Sequence, residues 1–352
     1  MRIKTFIISS FVVIVLYAFT NITTHQSKSI FKPPSNFPEP VYNFEQNPVT
    51  KAGFELGRYL FYDTRLSGNY KISCGFCHIQ SDAFTQHGHI VSHGINNRTG
   101  IRNAPPVMNL AWATSFMLDG RAATLDEQPL IPITDHVEMD CSIDTIIERL
   151  QPDKVYRSMF KKAFGSSIIT EQNILKALSQ FMLLCISANS KYDKVMRNEG
   201  ETFTADEAAG YEVFKRTCNG CHKEPLFTDY SFRSNGFNIV SAEDKGAFNI
   251  TQDSADIYKF KVPSLRNLVY TAPYMHNGQL YQFKSIIPQY RFYVENNPNL
   301  DTLLVHEGKR GFDMTDKEAE QLEAFLQTLN DSSFVNNPAL SEPDIQYKAD
   351  IF

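Results

Sequence analysis

The chain has 352 residues, 42 % hydrophobic and 21 % charged, with a formal net charge of −5. That length suggests two domains, and the composition is that of a globular protein with enough apolar material for a sizeable core. The acidic balance leaves no basic footprint, which argues against a nucleic-acid partner and suits a basic protein partner.

In chain order, Arg2 and Lys4 precede an apolar run from Phe6 to Phe19. The run falls short of the roughly 20 residues of a transmembrane helix, and it fits a secretory signal over residues 1–20. Ala18-Phe19-Thr20 matches a cleavage site only loosely, so an uncleaved membrane anchor is the alternative. Residues 21–45 are polar, contain four prolines and read as a linker. A helix capped by Thr50 follows, carrying Gly53-Phe54-Glu55-Leu56, and a similar Gly210-Tyr211-Glu212-Val213 lies in a later helix opened by the capping box Thr204/Glu207. This weak duplication predicts two similar helical units, each with a helix leading to its own CxxC.

Further helices are expected over 142–150, 171–189 and 315–329. Ile174, Leu178, Phe181, Met182 and Cys185 keep a helical period, as do Leu322, Phe325, Leu326 and Leu329 behind the capping box Thr315/Glu318. No alternating strand series is visible, so the expected class is mostly α. The units are expected over 46–199 and 200–335, with a boundary at the polar turn Asn198-Glu199-Gly200 and a tail over 336–352. Cys141 and Cys185 read as two ordinary buried thiols. Export would permit a disulfide between them, but spacing cannot show proximity.

The chemistry lies in Cys74-Gly75-Phe76-Cys77-His78 and Cys218-Asn219-Gly220-Cys221-His222. In a CxxCH motif two thiols add across the haem vinyl groups and the histidine gives an axial nitrogen to iron. Zinc would need two further ligands for each cysteine pair, and no third CxxC exists. Two covalent haem c groups are therefore expected, with His78 and His222 as proximal ligands. The opposite face of each haem then decides between electron transfer and catalysis.

An ordered set of motifs runs from about Pro48 to Leu329: the two CxxCH motifs, Arg102-Asn103-Ala104-Pro105, Leu118-Asp119-Gly120-Arg121, Leu125-Asp126-Glu127-Gln128, Glu138-Met139, Pro263-Ser264-Leu265-Arg266-Asn267 and Thr271-Ala272-Pro273-Tyr274-Met275-His276. In this set the chain resembles the bacterial di-haem cytochrome c peroxidase family, which includes the MauG-type enzymes. The resemblance implies a periplasmic protein of two haem-bearing helical domains, with the haems bridged at the domain interface. The N-terminal haem would react with hydrogen peroxide and the C-terminal haem would pass electrons. It also implies a small cytochrome c or cupredoxin as donor, and a homodimer in many members.

Carried over by position, Glu138 would be the distal acid/base and Gln128 its amide partner, roles that suit a carboxylate and an amide. Asn103 through its side chain, and Thr271 and Pro273 through their carbonyls, would bind Ca²⁺, a cation that prefers oxygen ligands. For the second haem, Tyr290 stands fourteen residues after His276, where peroxidases of the family have methionine and MauG-type members tyrosine. Tyr290 is preferred as distal ligand, with Met275 the alternative. For the first haem, His93 is the candidate distal ligand, ahead of His87 and His89, and the MauG-type pattern would leave that iron five-coordinate. Leu118 replaces the aromatic that many members carry before Asp-Gly-Arg, and Trp112 reads as core packing. Arg121 and Arg266 are candidate propionate partners, against a plain salt-bridge reading, and His276 a candidate hydrogen-bond donor near the second haem. The rival function classes are a MauG-like oxidase that modifies a partner protein and a non-enzymatic di-haem electron carrier.

Overall fold

The computed structural model describes residues 29–86, 88–237 and 244–344. The expected signal or anchor (1–20), the start of the linker, His87 and the end of the tail lie outside them. Among the described residues the chain is mostly helical, and no helix is long and apolar enough to cross a membrane.

The first unit contains α1 (Lys51–Tyr62), a single turn α2 (Cys74–Cys77), α3 (Leu130–Thr134), α4 (Ile143–Leu150), α5 (Lys154–Phe164) and α6 (Glu171–Leu183). The second contains α7 (Lys191–Met196), α8 (Ala205–Thr217), α9 (Phe248–Thr251), α10 (Ile286–Phe292), α11 (Asp316–Gln327) and, returning to the first unit, α12 (Ser332–Val335). Two short antiparallel pairs complete it, β1 (Phe232–Arg233) with β2 (Phe260–Lys261) and β3 (Val305–His306) with β4 (Lys309–Arg310).

Local signals set the helix starts. Thr50 Oγ1 accepts from Gly53 N at 3.0 Å, and Thr204 and Thr315 form reciprocal capping boxes with Glu207 and Glu318. Each such cap contributes about 1 kcal/mol. α6 stops at Leu183 rather than residue 189, because tertiary hydrogen bonds replace the helical ones. Asn109 takes Ser187 N and Ser187 O through its side chain, and Asp331 takes the N–H groups of Ala188 and Asn189.

The duplication is present, but four residues out of the register that the sequence suggests. α1 packs on α6 and α8 on α11. Each crossing closes over one glycine: a Cβ at Gly57 would collide with the Ala177 carbonyl, and one at Gly210 with the Gln321 carbonyl. Four residues after each glycine comes a phenylalanine, and the rings Phe61, Phe84 and Phe181 match Phe214, Phe227 and Phe325. Gly57, not Gly53, is thus the counterpart of Gly210, while Gly53 lies against the Gln180 side chain. Overpacking such a crossing costs about 1–3 kcal/mol. Gly57→Ala and Gly210→Ala should therefore each lower the urea midpoint.

The unit boundaries differ from expectation. The expected linker packs on the first unit from residue 30 onward. Ile30 N bonds Val49 O, Val41 N and Tyr42 N share Ala111 O, and Phe37 lies edge-on to Trp112, whose Nε1 donates to Pro38 O at 2.7 Å. The aromatic content of this segment, rather than its prolines, decides its fate. Tyr192, before the expected boundary at 200, is already part of the second core. Phe334, Val335 and Leu340 return to the first core, where Arg58 bonds Ser341 O, Tyr62 bonds Leu340 O and Gln80 bonds Asn337 O. The first unit is therefore closed by both ends of the described chain.

Between the units, Arg102 bridges Asp119 of the first and Asp244 of the second, and Asn103 N donates to His276 O. Lys261 N donates to Leu118 O. Arg266, fully buried, makes a two-armed pair at 2.8 Å with Asp193, which also accepts from Asn36 of the N-terminal segment.

Candidate functional site

The two CxxCH segments fold alike. In each, the histidine N–H bonds back to the first cysteine's carbonyl at 2.9 Å. The chain then turns through a phenylalanine at positive φ, Phe84 at 60° and Phe227 at 57°. That turn presents a carbonyl to the imidazole: His78 Nδ1 lies 2.9 Å from Phe84 O, and His222 Nδ1 lies 3.2 Å from Phe227 O and 3.1 Å from Pro263 O. Burial pushes both histidines below the usual imidazole range. A neutral ring donating Nδ1–H to a carbonyl leaves the Nε2 lone pair free, the arrangement of an oriented metal ligand. Burial also raises the thiols, Cys74 and Cys77 to about 12, Cys218 and Cys221 to about 11. Among the described residues no group of three or more His, Cys, Asp or Glu could hold a metal ion, which disfavours the zinc reading. Paired half-buried thiols beside one oriented imidazole fit haem c at both positions.

Cys74, Cys77 and His78 form one wall of a cavity of about 440 Å³. Gln128, Glu138, Arg121, Ser92 and His93 also line it, with apolar side chains between them, and the second unit adds Tyr230, Lys261, Val262, Pro263 and Ser264. The size and the mix of apolar wall with few polar groups are those of a cofactor site. The cavity is thus shared between the units, and Pro263, on its wall, is also the residue whose carbonyl faces His222.

Gln128 precedes α3 and Glu138 follows it, so this short helix sets the distance between them. Glu138 is held by its main chain, N to Asp135 O and O from Ile95 N. Its carboxyl is pushed above the usual glutamate range, first by burial and then by Asp135, while Arg121 and a hydrogen bond from Ser92 oppose the shift. Gln128 Nε2 lies 3.5 Å from Met117 Sδ. His93 stands on the cavity wall with its ring 4.1 Å from that of the exposed His89. Burial and His89 keep it below the usual range.

The two arginines separate. Arg121 lines the cavity and pairs with Asp119. Arg266 corrects expectation: its guanidinium is consumed by Asp193 and Pro225 O and buried among Phe37, Tyr192 and Phe227, so it is not a propionate partner. Leu118 lines the cavity, while Trp112 is buried core packing away from that wall. The His276 ring stacks on Phe260 beside Arg102 and Asp244, and burial takes it down to about 4.

At the second site Tyr290 and Met275 converge. Asn235 Nδ2 lies 3.2 Å from Tyr290 Oη and 3.5 Å from Met275 Sδ. Tyr290 is pushed up to about 12 by burial, with the hydrogen bond from Asn235 opposing and Cys221 and Cys218 adding to the rise. The Asn103 side chain donates to Ile90 O at 3.1 Å, and its backbone bond to His276 sets it beside the segment carrying Thr271 and Pro273.

Three contributors carry no sequence signal. Ser92 is a lone serine, Asn235 a lone asparagine, and Lys261 a charge on a two-residue strand. Lys261 is half-buried in the shared wall, bonds Ser115 O at 2.6 Å and is pushed down to about 8 by desolvation, against the pull of Asp119.

Comparison with known proteins agrees with this geometry. Residues 51–201 match the family model for di-haem cytochrome c peroxidases. The methylamine utilization protein MauG of Methylorubrum extorquens is 34 % identical over 311 residues, 86 % of this chain and 84 % of that protein. The cytochrome c peroxidase Ccp of Escherichia coli is 32 % identical over 308 residues, 84 % of this chain and 62 % of that protein. The crystal structure of a MauG-like protein associated with microbial copper homeostasis superposes with a TM-score of 0.80 at 32 % identity, covering 89 % of this chain and 99 % of that one. With two CxxCH segments of one design, the first of them lining a cavity walled by both units, and relatives alike over most of their length, the chain belongs to the di-haem cytochrome c peroxidase family that includes MauG.

Proposed function

We propose that this chain is an exported, periplasmic peroxidase that reduces hydrogen peroxide to water with electrons from a small cytochrome c or cupredoxin. The observation that carries this reading is that Gln128 and Glu138 line the same cavity as His78. Haem c on Cys74, Cys77 and His78 would supply the iron that takes peroxide, and haem c on Cys218, Cys221 and His222 a second redox centre for the incoming electrons. The protein groups do the proton work. The Glu138 carboxylate takes the proton of the near peroxide oxygen and returns it to the departing one, a general base that becomes a general acid. Ser92 holds that carboxyl, the Gln128 amide orients the substrate, and the apolar walls keep bulk water out. Two electrons and two further protons complete two water molecules.

Asn103, Thr271 and Pro273 are proposed as calcium positions; in support, Asn103 and the 271–276 segment are joined by a backbone hydrogen bond across the two units. Elemental analysis of the purified protein should give two iron and one calcium per chain, and Cys218→Ala should remove one covalent haem. Peroxide should oxidise a reduced small cytochrome c only when both haems are present. Retention of both haems in Cys218→Ala would sink the assignment.

A second reading, a MauG-like oxidase of a partner protein, is favoured by Tyr290. A tyrosinate ligand stabilises ferric and higher states, whereas methionine raises the potential. Tyr290 is proposed as the distal ligand of the second haem, and Met275, at the same Asn235 amide, is its rival. Low-temperature EPR and absorption should change in Tyr290→Phe and not in Met275→Leu; the reverse makes Met275 the ligand. The same spectra of His93→Ala report whether the first haem is five-coordinate at rest.

A further inference from the structure

Behind the second attachment site lies a tyrosine–tyrosine–carboxylate cluster that peroxide reduction as described does not use. Glu224 follows His222 by two residues. Its Oε2 accepts from the Tyr211 hydroxyl at 2.8 Å and from the Tyr192 hydroxyl at 3.2 Å. Its Oε1 is buried with no protein donor. A structural carboxylate gains by filling both oxygens; here two phenols share one oxygen and the other is left over.

The rings connect inward and outward. Tyr192, only 2 % exposed, packs its ring 4.8 Å from that of Phe227, edge to face, and the Phe227 carbonyl faces His222 Nδ1 at 3.2 Å. The Tyr192 and Tyr211 rings lie 6.2 Å apart. Tyr211 is half-buried, with the Lys215 ammonium 4.7 Å above its ring, and the Lys215 side chain is 41 % exposed. Contacts therefore run without a break from the axial imidazole to the surface.

We propose that Tyr192 and Tyr211 form a one-electron relay, with Glu224 as its proton acceptor, that carries oxidising equivalents from the second haem site to a reductant at the surface beside Lys215. The proposal rests on the peroxide reading for its oxidant. Oxidised tyrosine is strongly acidic, so a phenol gives up an electron readily only when its proton can leave at the same time. In the relay the Tyr211 O–H bond breaks. The electron passes by Tyr192 and Phe227 to the haem site, and the proton crosses the hydrogen bond to Glu224. A one-electron reductant from solution then restores the electron, and Glu224 returns the proton. Tyr211 ends unchanged, the haem site reduced by one electron and the reductant oxidised by one.

The test mixes the two-haem protein with one equivalent of peroxide, without reductant, and freezes it at once. EPR reads the tyrosyl radical and absorption reads the haems on the same sample. The expected result is a radical in the unmodified protein that is lost in Tyr211→Phe and in Tyr192→Phe/Tyr211→Phe and reduced several-fold in Glu224→Gln, while the haem response persists in all of them. Tyr211→Phe alone alters a half-exposed ring and keeps the comparison available if the double variant folds poorly. A radical of undiminished yield in the Phe variants, or a haem response with no radical in the unmodified protein, overturns the relay. If the haems do not respond to peroxide, it is the peroxide reading that fails, and flash-generated ruthenium(III) tris-bipyridine replaces peroxide in the same comparison of variants.

Discussion

Glu138→Ala should lower peroxide turnover by about 10²–10⁴-fold, the usual worth of a positioned general acid–base, and leave the absorption of both haems largely intact. The spectra should survive because Glu138 is held by main-chain bonds to Asp135 and Ile95 that its side chain does not make. Glu138→Gln separates proton transfer from packing, since it keeps the shape and loses the base. The pH profile gives a second readout. Burial and Asp135 push the Glu138 carboxyl above its usual range. The base form is therefore lost as pH falls through that raised value, and kcat/KM should decline on the acid side with a limb that Glu138→Gln lacks. Unchanged turnover in Glu138→Ala with both haems present would point instead to a non-enzymatic electron carrier.

The largest stability effect is expected at Asp193. Its pair with Arg266 is fully buried on both sides, and removing one partner of such a pair costs about 3–5 kcal/mol because the other charge is left uncompensated. Asp193→Ala should show this in urea or thermal unfolding, with both units affected, since Asp193 also takes Asn36 of the N-terminal segment. Asp193→Leu/Arg266→Met should recover much of the loss, because replacing both charges removes the buried ion as well. A double variant no better than Asp193→Ala would show that Arg266 matters for its packing on Phe37 and Phe227 rather than for its charge. Burial raises the Asp193 carboxyl, but the hydrogen bonds and charge of Arg266 outweigh it and hold the group below its usual range. A depressed acid contributes stability above its unfolded pKa, about 3.9. That contribution is lost as pH falls through the lower folded value, so acid unfolding should begin near pH 4 and steepen below it.

What could be read from the chain was local in sequence. The capping threonines at 50, 204 and 315 form the caps their spacing implies, because both partners of a cap lie within one turn. The CxxCH motifs adopt the same histidine-anchored turn, because the cysteines and histidine are covalent near-neighbours and the turn residue follows within six positions. Gln128 and Glu138 are paired by the family resemblance alone, and the short α3 between them is what sets them on one wall.

Other features depended on where distant segments return. The duplication appeared around Gly53, yet its structural register belongs to Gly57, since it is set by the Ala177 and Gln321 carbonyls across each helix crossing. Residues 21–45 read as a polar linker with four prolines, yet from residue 30 onward contacts such as Phe37 on Trp112 make the segment part of a core. For Arg266 a propionate and a salt bridge are both open in the sequence, and Asp193, 73 positions away, decides for the salt bridge.

The two CxxCH motifs and the order of the family's motifs are legible in the chain alone, because covalent spacing and one-turn hydrogen bonds need no knowledge of the chain's path. The packing of distant segments is what walls the first cavity with both units, sets Asn235 against Tyr290 and Met275 alike, and gathers Tyr192 and Tyr211 on Glu224. Each of those contacts joins segments whose meeting depends on how the helices pack. Packing is a property of the whole set of buried surfaces, and no single stretch of sequence contains it.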